Sequence, residues 1–176
     1  MSTIRFTSFP RTEPPPDFMS AIISVFEHHE SEIATEQLAR HLKSDSVLSI
    51  LAADLRSIGF DVESGKSSDD KIKRPVFFGE NGQPTLRYKV DAYNKSWKCG
   101  LEIEGIRAVR GGAIYRDLIQ ALVMVQVDHL CIAVPNLVTW GKAGRSRSYL
   151  ESTRTAEALY GHSRFKFPYG LTIIGY

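Results

Sequence analysis

Asp91, Glu102 and Glu104 are the residues of this chain whose types and spacing best suit chemistry. In an extended strand, alternate side chains share a face. From Leu86 to Tyr93 this puts Arg87, Lys89, Asp91 and Tyr93 on one side. From Lys98 to Glu104 it turns Cys99, Leu101 and Ile103 to a core, and Lys98, Gly100, Glu102 and Glu104 outward. A turn at Asn94-Lys95-Ser96 would pair the two strands and bring Asp91 and Glu102 onto one face, with Glu104 roughly 7 Å further along. Carboxylates gathered this way repel, so their folding costs free energy unless a cation sits among them. Oxygen ligands of this kind suit Mg²⁺, with Mn²⁺ as an alternative. Such an ion activates water and neutralises phosphate charge. The expected feature is therefore a Mg²⁺ site among these three acids, beside Lys89.

Basic residues follow the acids. Arg107, Arg110 and Arg116 come directly after Glu104. Their guanidinium forks match phosphate geometry, although pairing with Asp117 or the acids is equally open to them. Lys142, Arg145 and Arg147 lie in a Gly-containing stretch read as a flexible basic loop on a nucleic-acid backbone. The segment from Val138 to Pro168 has six basic and two acidic residues, a net +4, which leaves −2 on the rest of the chain. Other clusters carry less. His28, His29 and Glu30 are adjacent on a predicted helix, where neighbours do not share a face, so no metal site is expected there. His129 and His162 have no ligand spacing, and Trp97 and Trp140 read as packing residues. Cys99 and Cys131 fit no zinc pattern and are too few for a disulfide scaffold, which points to a reducing compartment.

Three pieces in order carry a resemblance: Val90-Asp91, then Leu101-Glu102-Ile103-Glu104, then Tyr115-Arg116-Asp117-Leu118. An acid on one strand, a short turn, Glu-x-Glu on the next strand and a helix beginning near Tyr-Arg-Asp-Leu resembles the PD-(D/E)XK nuclease superfamily. Within it the pattern is most similar to the BamHI/BglII-like branch of type II restriction endonucleases. The resemblance covers about residues 46–134. It implies metal ligands at Asp91 and Glu102, puts Glu104 at the position usually held by lysine, as a catalytic residue that polarises the attacking water or binds it through the metal, and leaves Lys89 as the further catalytic residue that supplies positive charge from the neighbouring strand. Two departures are plain: Val90 stands where the motif has Pro, and no Lys follows two residues after Glu102. The implied activity is Mg²⁺-dependent hydrolysis of phosphodiester bonds in duplex DNA by a cytoplasmic homodimer, since palindromic sites call for symmetric readers.

The elements that must position these residues are read from periodicity. Four of the eight prolines fall in residues 1–16, which read as a short strand or arm with an irregular lead-in. Asp17 is expected to cap a helix carrying Met19, Ile22, Ile23 and Phe26 at helical spacing. Further helices are expected over about 35–42 and 46–58, the second stopped by Gly59. Strands are expected at 60–63, at 76–78 and 86–91 around a turn at Glu80-Asn81-Gly82, and at 98–104 and 129–134, with helices at about 113–127 and 149–160 and a last strand at 171–175. Hairpin-linked strands followed by crossovers predict an α/β (α+β) fold, with a mixed central sheet flanked by helices on both faces. Residues 1–45 read as an arm and helices packed on a core formed by 46–176, one globular unit overall. No apolar run reaches the roughly 18–20 residues of a membrane helix. A helix-turn-helix over 35–66 is the competing reading, giving a non-catalytic DNA-binding protein. An inactive nuclease-fold interaction module is a third.

Overall fold

The computed structural model describes residues 2–37, 42–65, 67, 70–105, 108, 112–140 and 144–176. Its centre is a six-stranded mixed sheet. The strands are β1 (Arg5–Phe9), β2 (Phe60–Val62), β5 (Ala92–Asn94), β6 (Cys99–Ile103), β7 (His129–Val134) and β10 (Gly170–Gly175). Across the sheet they run in the order β1-β10-β7-β6-β5-β2. β2, β5 and β6 form an antiparallel meander, β6, β7 and β10 run parallel, and β1 closes the far edge antiparallel to β10. Parallel neighbours need crossovers, and two helices supply them. These are α4 (Ala113–Val123), between β6 and β7, and α5 (Ser148–Gly161), between β7 and β10.

Helices cover both faces, as the alternation of apolar residues demands. On one face α1 (Met19–His28) and α3 (Ser44–Ser57) bury Met19, Ile22, Phe26, Val47, Leu51 and Leu55 against Cys99, Leu101, Ile103, Cys131 and Ala133. On the other, Ile114, Leu118 and Ala121 of α4 and Ala156 of α5 pack on Leu130, Ile132, Val134, Leu171 and Ile173. The uninterrupted apolar run of β7 follows from this double coverage. β6 is covered on both faces too, so Glu102 lies on a buried central strand and not on the half-exposed one expected.

Local chemistry sets the element ends. Gly59 follows α3 at φ +92°, a left-handed conformation that glycine adopts without steric cost. Asp17 does not cap α1 through its side chain; Phe18 holds that position, and Met19 N–H donates to the Pro16 carbonyl. The helix expected at 35–42 is a turn over Thr35–Gln37, where Thr35 Oγ1 donates to the Tyr176 carbonyl, and residues 38–41 lie outside the described residues. A short helix, α2 (Glu30–Ile33), precedes it.

The largest departure concerns the strand carrying Asp91. β3 (Ile72–Phe78) and β4 (Pro84–Val90) form a separate antiparallel ribbon around a turn at Glu80–Gly82. The chain breaks at Asp91, and only Ala92–Asn94 joins the central sheet. The expected pairing of 86–92 with 98–104 is thus confined to three rungs, Ala92 with Leu101, Tyr93 with Gly100 and Asn94 with Cys99. The basic stretch near residue 145 is also not a loop where it is described. β9 (Gly144–Ser146) pairs with β8 (Val138–Trp140), because Ser146 is buried and held by Glu151 while Arg145 points outward.

Candidate active site

The break at Asp91 has a local cause that also builds the site. Asp91 Oδ2 accepts the Ile103 N–H at 2.7 Å, so a side chain takes the β6 donor that a ladder carbonyl would otherwise use. The Asp91 carbonyl in turn accepts from Glu63 N–H, tying the residue to the end of β2. One rung beyond the Ala92–Leu101 pair, Asp91 falls opposite Glu102. Residues opposite each other in an antiparallel pair share a face. Both acids line one cavity of about 420 Å³, together with Glu63, Lys71, Arg87, Lys89, Arg116 and Asp117.

The cavity is layered by charge. Glu102 and Asp117 are buried at 8% and 2% exposure, and Asp117 Oδ2 is buried with no hydrogen-bond partner. Arg87 and Lys89 are exposed residues of β4 on the same cavity. Burial first, then the nearby Asp117 and Glu63 charges, push the Asp91 carboxyl up to about 7 against the Ile103 hydrogen bond. Burial pushes Glu102 well above the usual carboxylate range, with Asp91, Asp117 and Glu104 adding to it. Glu104 rises to about 8, from burial and from the Asp117 carboxylate close beside it. These acids hold protons near neutrality because burial disfavours their charged forms and the nearby cations do not offset it.

Glu104 sits beside the cavity rather than in its lining. Its Oε1 lies 2.9 Å from Arg116 Nη2, its backbone N–H donates to the Ala133 carbonyl, and its carbonyl accepts from Tyr176 Oη at 2.6 Å. Arg116 also donates through Nε to Asp117 Oδ1 at 2.9 Å. The arginine is therefore engaged by two acids, the alternative to phosphate binding that its place in the sequence allows. Asp117 takes the cavity-facing place expected of Glu104. Lys71 is a further residue that the spacing does not single out. Its ammonium bonds Glu63 at 2.7 Å and faces the Asp91 charge. Lys71 lies at the end of a polar run in which nothing marks it, whereas Asp117 sits inside the Tyr-Arg-Asp-Leu piece.

The remaining expected contacts are scattered. Arg107, Arg110 and Lys142 lie outside the described residues. Arg145 and Arg147 are exposed and line a second cavity of about 540 Å³ with Arg5, Asn136 and Tyr149. α3 does not protrude as a recognition helix would. It packs on the sheet through five buried residues, and its only arginine, Arg56, is exposed. His129 bonds Thr172 inside the core. Trp97 stacks on Phe18, as expected of a packing residue. No helix among the described residues is long and apolar enough to cross a membrane. No protein-family model matches the chain, and no curated protein matches it.

Proposed function

We infer that the chain is a Mg²⁺-dependent endonuclease for duplex DNA, of the restriction-enzyme kind that its motifs resemble. One observation carries this reading: buried acids, including an unpartnered Asp117 oxygen, lie in the same cavity as exposed Arg87 and Lys89. The order of the central sheet agrees with it, since an antiparallel meander leading into a parallel crossover puts Glu102 near the carboxyl end of β6. Ligand sites of α/β sheets gather at such strand ends.

The residues present fit a divalent ion. The donors are all carboxylate oxygens, which suit Mg²⁺ or Mn²⁺. Among the described residues no three acids of the cavity bring ligand atoms within 4.8 Å of one another; Mg²⁺ commonly takes only one or two carboxylates and keeps several waters. Asp91 and Glu102 would hold it, and Asp117 Oδ2 would accept from one of its waters. When bound, the ion would lower the pKa of a water and neutralise phosphate charge. The protein's own part is positioning. Ile103 N–H fixes one oxygen of Asp91 and leaves the other for the cavity. Glu104 and Asp117 hold Arg116 in place. Arg87 and Lys89 meet the phosphates, and Lys71 supplies the ammonium that the usual motif lysine would bring. A two-fold dimer would cut both strands. The exposed apolar stripe Tyr115, Ile119 and Val123 on α4 is the surface that a second copy would cover.

The direct test is incubation of the purified chain with supercoiled plasmid and with a duplex library, in Mg²⁺, Mn²⁺ or EDTA. Nicked or linear product in the metal arms alone is expected. No product with any duplex in either ion would replace this reading with an inactive module. The β9 region gives a second test. Arg145→Ala with Arg147→Ala should weaken DNA affinity for all sequences alike and flatten the log–log salt dependence by roughly 0.9 for each phosphate no longer neutralised. Sequence preference should stay, because phosphate contacts position and base contacts specify. An unchanged slope would make the two arginines an ordinary solvated surface.

A further inference from the structure

The geometry points to a second metal centre, for a d-block divalent ion such as Zn²⁺, built by His28, His29 and Asp54 where α1 ends against α3. Adjacent residues within a helix diverge, but α1 stops at His28. His29 is its C-cap, at φ −100° and ψ 13°, and the two rings come to 4.7 Å between centroids. His28 Nδ1 lies 2.6 Å from Asp54 Oδ2, and His29 Nε2 lies 3.2 Å from the same oxygen. The three donor atoms all fall within 4.8 Å of one another. A tetrahedral ion with bonds of about 2.0–2.1 Å needs donors roughly 3.3 Å apart. His29 Nε2 already stands at about this spacing from Asp54 Oδ2, and His28 Nδ1 reaches it by opening roughly 0.7 Å, which losing its hydrogen-bonding proton permits; the two nitrogens lie within 4.8 Å of each other.

A fourth residue orients the set. Glu32 lies 2.8 Å from His29 Nδ1, the outer carboxylate that metal-binding histidines commonly carry. A neutral imidazole has one N–H. If His29 donates it to Glu32, a bare Nε2 lone pair faces the Asp54 carboxylate. That arrangement calls for a cation between them, either a second proton or a metal ion. Two imidazoles and one carboxylate favour Zn²⁺, Ni²⁺ or Cu²⁺ over Mg²⁺. Three protein ligands leave one position for water or an outside donor. None of these residues lines the acid cavity, so the centre is independent of the nuclease reading. It would act as a clip between α1 and α3.

The test is calorimetric titration of the tag-free full chain with ZnCl₂ in Mg²⁺-free buffer, paired with thermal melts. One equivalent that survives in Asp91→Asn with Glu102→Gln, and is lost in His29→Gln with Asp54→Asn, is expected. At a hundredfold excess over Kd the wild-type Tm should rise by roughly 5–10 °C. His28→Gln alone, at a site whose side chain is 71% exposed, should keep the metal-free melt and weaken Zn²⁺ binding at least tenfold. Zn²⁺ binding unchanged in His28→Gln and in the His29/Asp54 variant would overturn the assignment. So would binding lost only in the Asp91/Glu102 variant, or no binding at millimolar Zn²⁺.

Discussion

Asp91→Asn should lower Mg²⁺-dependent cleavage by about a thousandfold or more while leaving the chain folded. Asparagine keeps the shape of the side chain and can still accept the Ile103 N–H, so the bend between β4 and β5 survives. What it loses is the charge that would hold the ion. Charge stabilisation of a few kcal/mol in the transition state, near 4, corresponds to three orders of magnitude in rate. Glu102→Gln should behave alike, because its carboxylate is the most deeply buried of the expected ligands. The measurement is single-turnover cleavage of plasmid, with circular dichroism as the folding control. Wild-type rates from either folded variant would remove Asp91 and Glu102 from the metal site.

The second large effect is a stability that falls as pH rises, provided no divalent ion is present. The Asp91 carboxyl is raised to about 7 and Glu104 to about 8. A folded state that binds protons more tightly than the unfolded chain is most stable at low pH. It loses that stability as pH climbs from the ordinary carboxylate range, near 4, through the folded values. For Asp91 alone the change is on the order of 4 kcal/mol. The lowered carboxyls work in another window: Glu30, hydrogen-bonded by Thr3, and Asp54, bonded by His28, lose their contribution only as pH falls below the usual carboxylate range. Urea unfolding in EDTA at pH 5 and pH 8.5 should therefore show the chain weaker at the higher pH. Millimolar Mg²⁺ should restore stability at pH 8.5 and do little at pH 5. The drop should shrink in Asp91→Asn. A stability that is flat or rising over this range in EDTA would show that the acids are not held protonated.

Much of this arrangement is legible in the chain itself. The apolar run of β7, the alternation in β6 and the helical spacing of α1, α3 and α4 each follow from which faces are covered. The order of Asp91, Glu102 and Glu104 identifies the neighbourhood of the cavity. Other features depend on contacts that periodicity does not encode. The turn residues Glu80-Asn81-Gly82 mark the β3–β4 hairpin, but alternation continues from Leu86 to Tyr93, so nothing local reveals that the strand breaks at Asp91. A carboxylate taking the place of a backbone acceptor causes that break, and a side chain's choice of partner lies in three dimensions. Lys71 enters the cavity only because the β3–β4 ribbon folds beside the sheet. Helical geometry separates His28 from His29 only while the helix continues, and α1 ends between them, which lets both reach Asp54.

The place of β1 at the sheet edge has a consequence for synthesis on the ribosome. β1 is made well before its sheet partner β10, which itself lies between β1 and β7. Roughly 160 residues separate the two strands, so at about 5–20 residues per second β1 waits on the order of 10–30 s for its partner. During that interval it is an unpaired strand whose backbone donors and acceptors can template association with another nascent chain. Its alternation is mixed, with Arg5 and Phe6 exposed in the finished fold and Phe9 buried. The arginine and the prolines that follow it, from Pro10 to Pro16, interrupt such pairing. The native sheet therefore closes last, at its β1 edge, after the meander and both crossovers have been made.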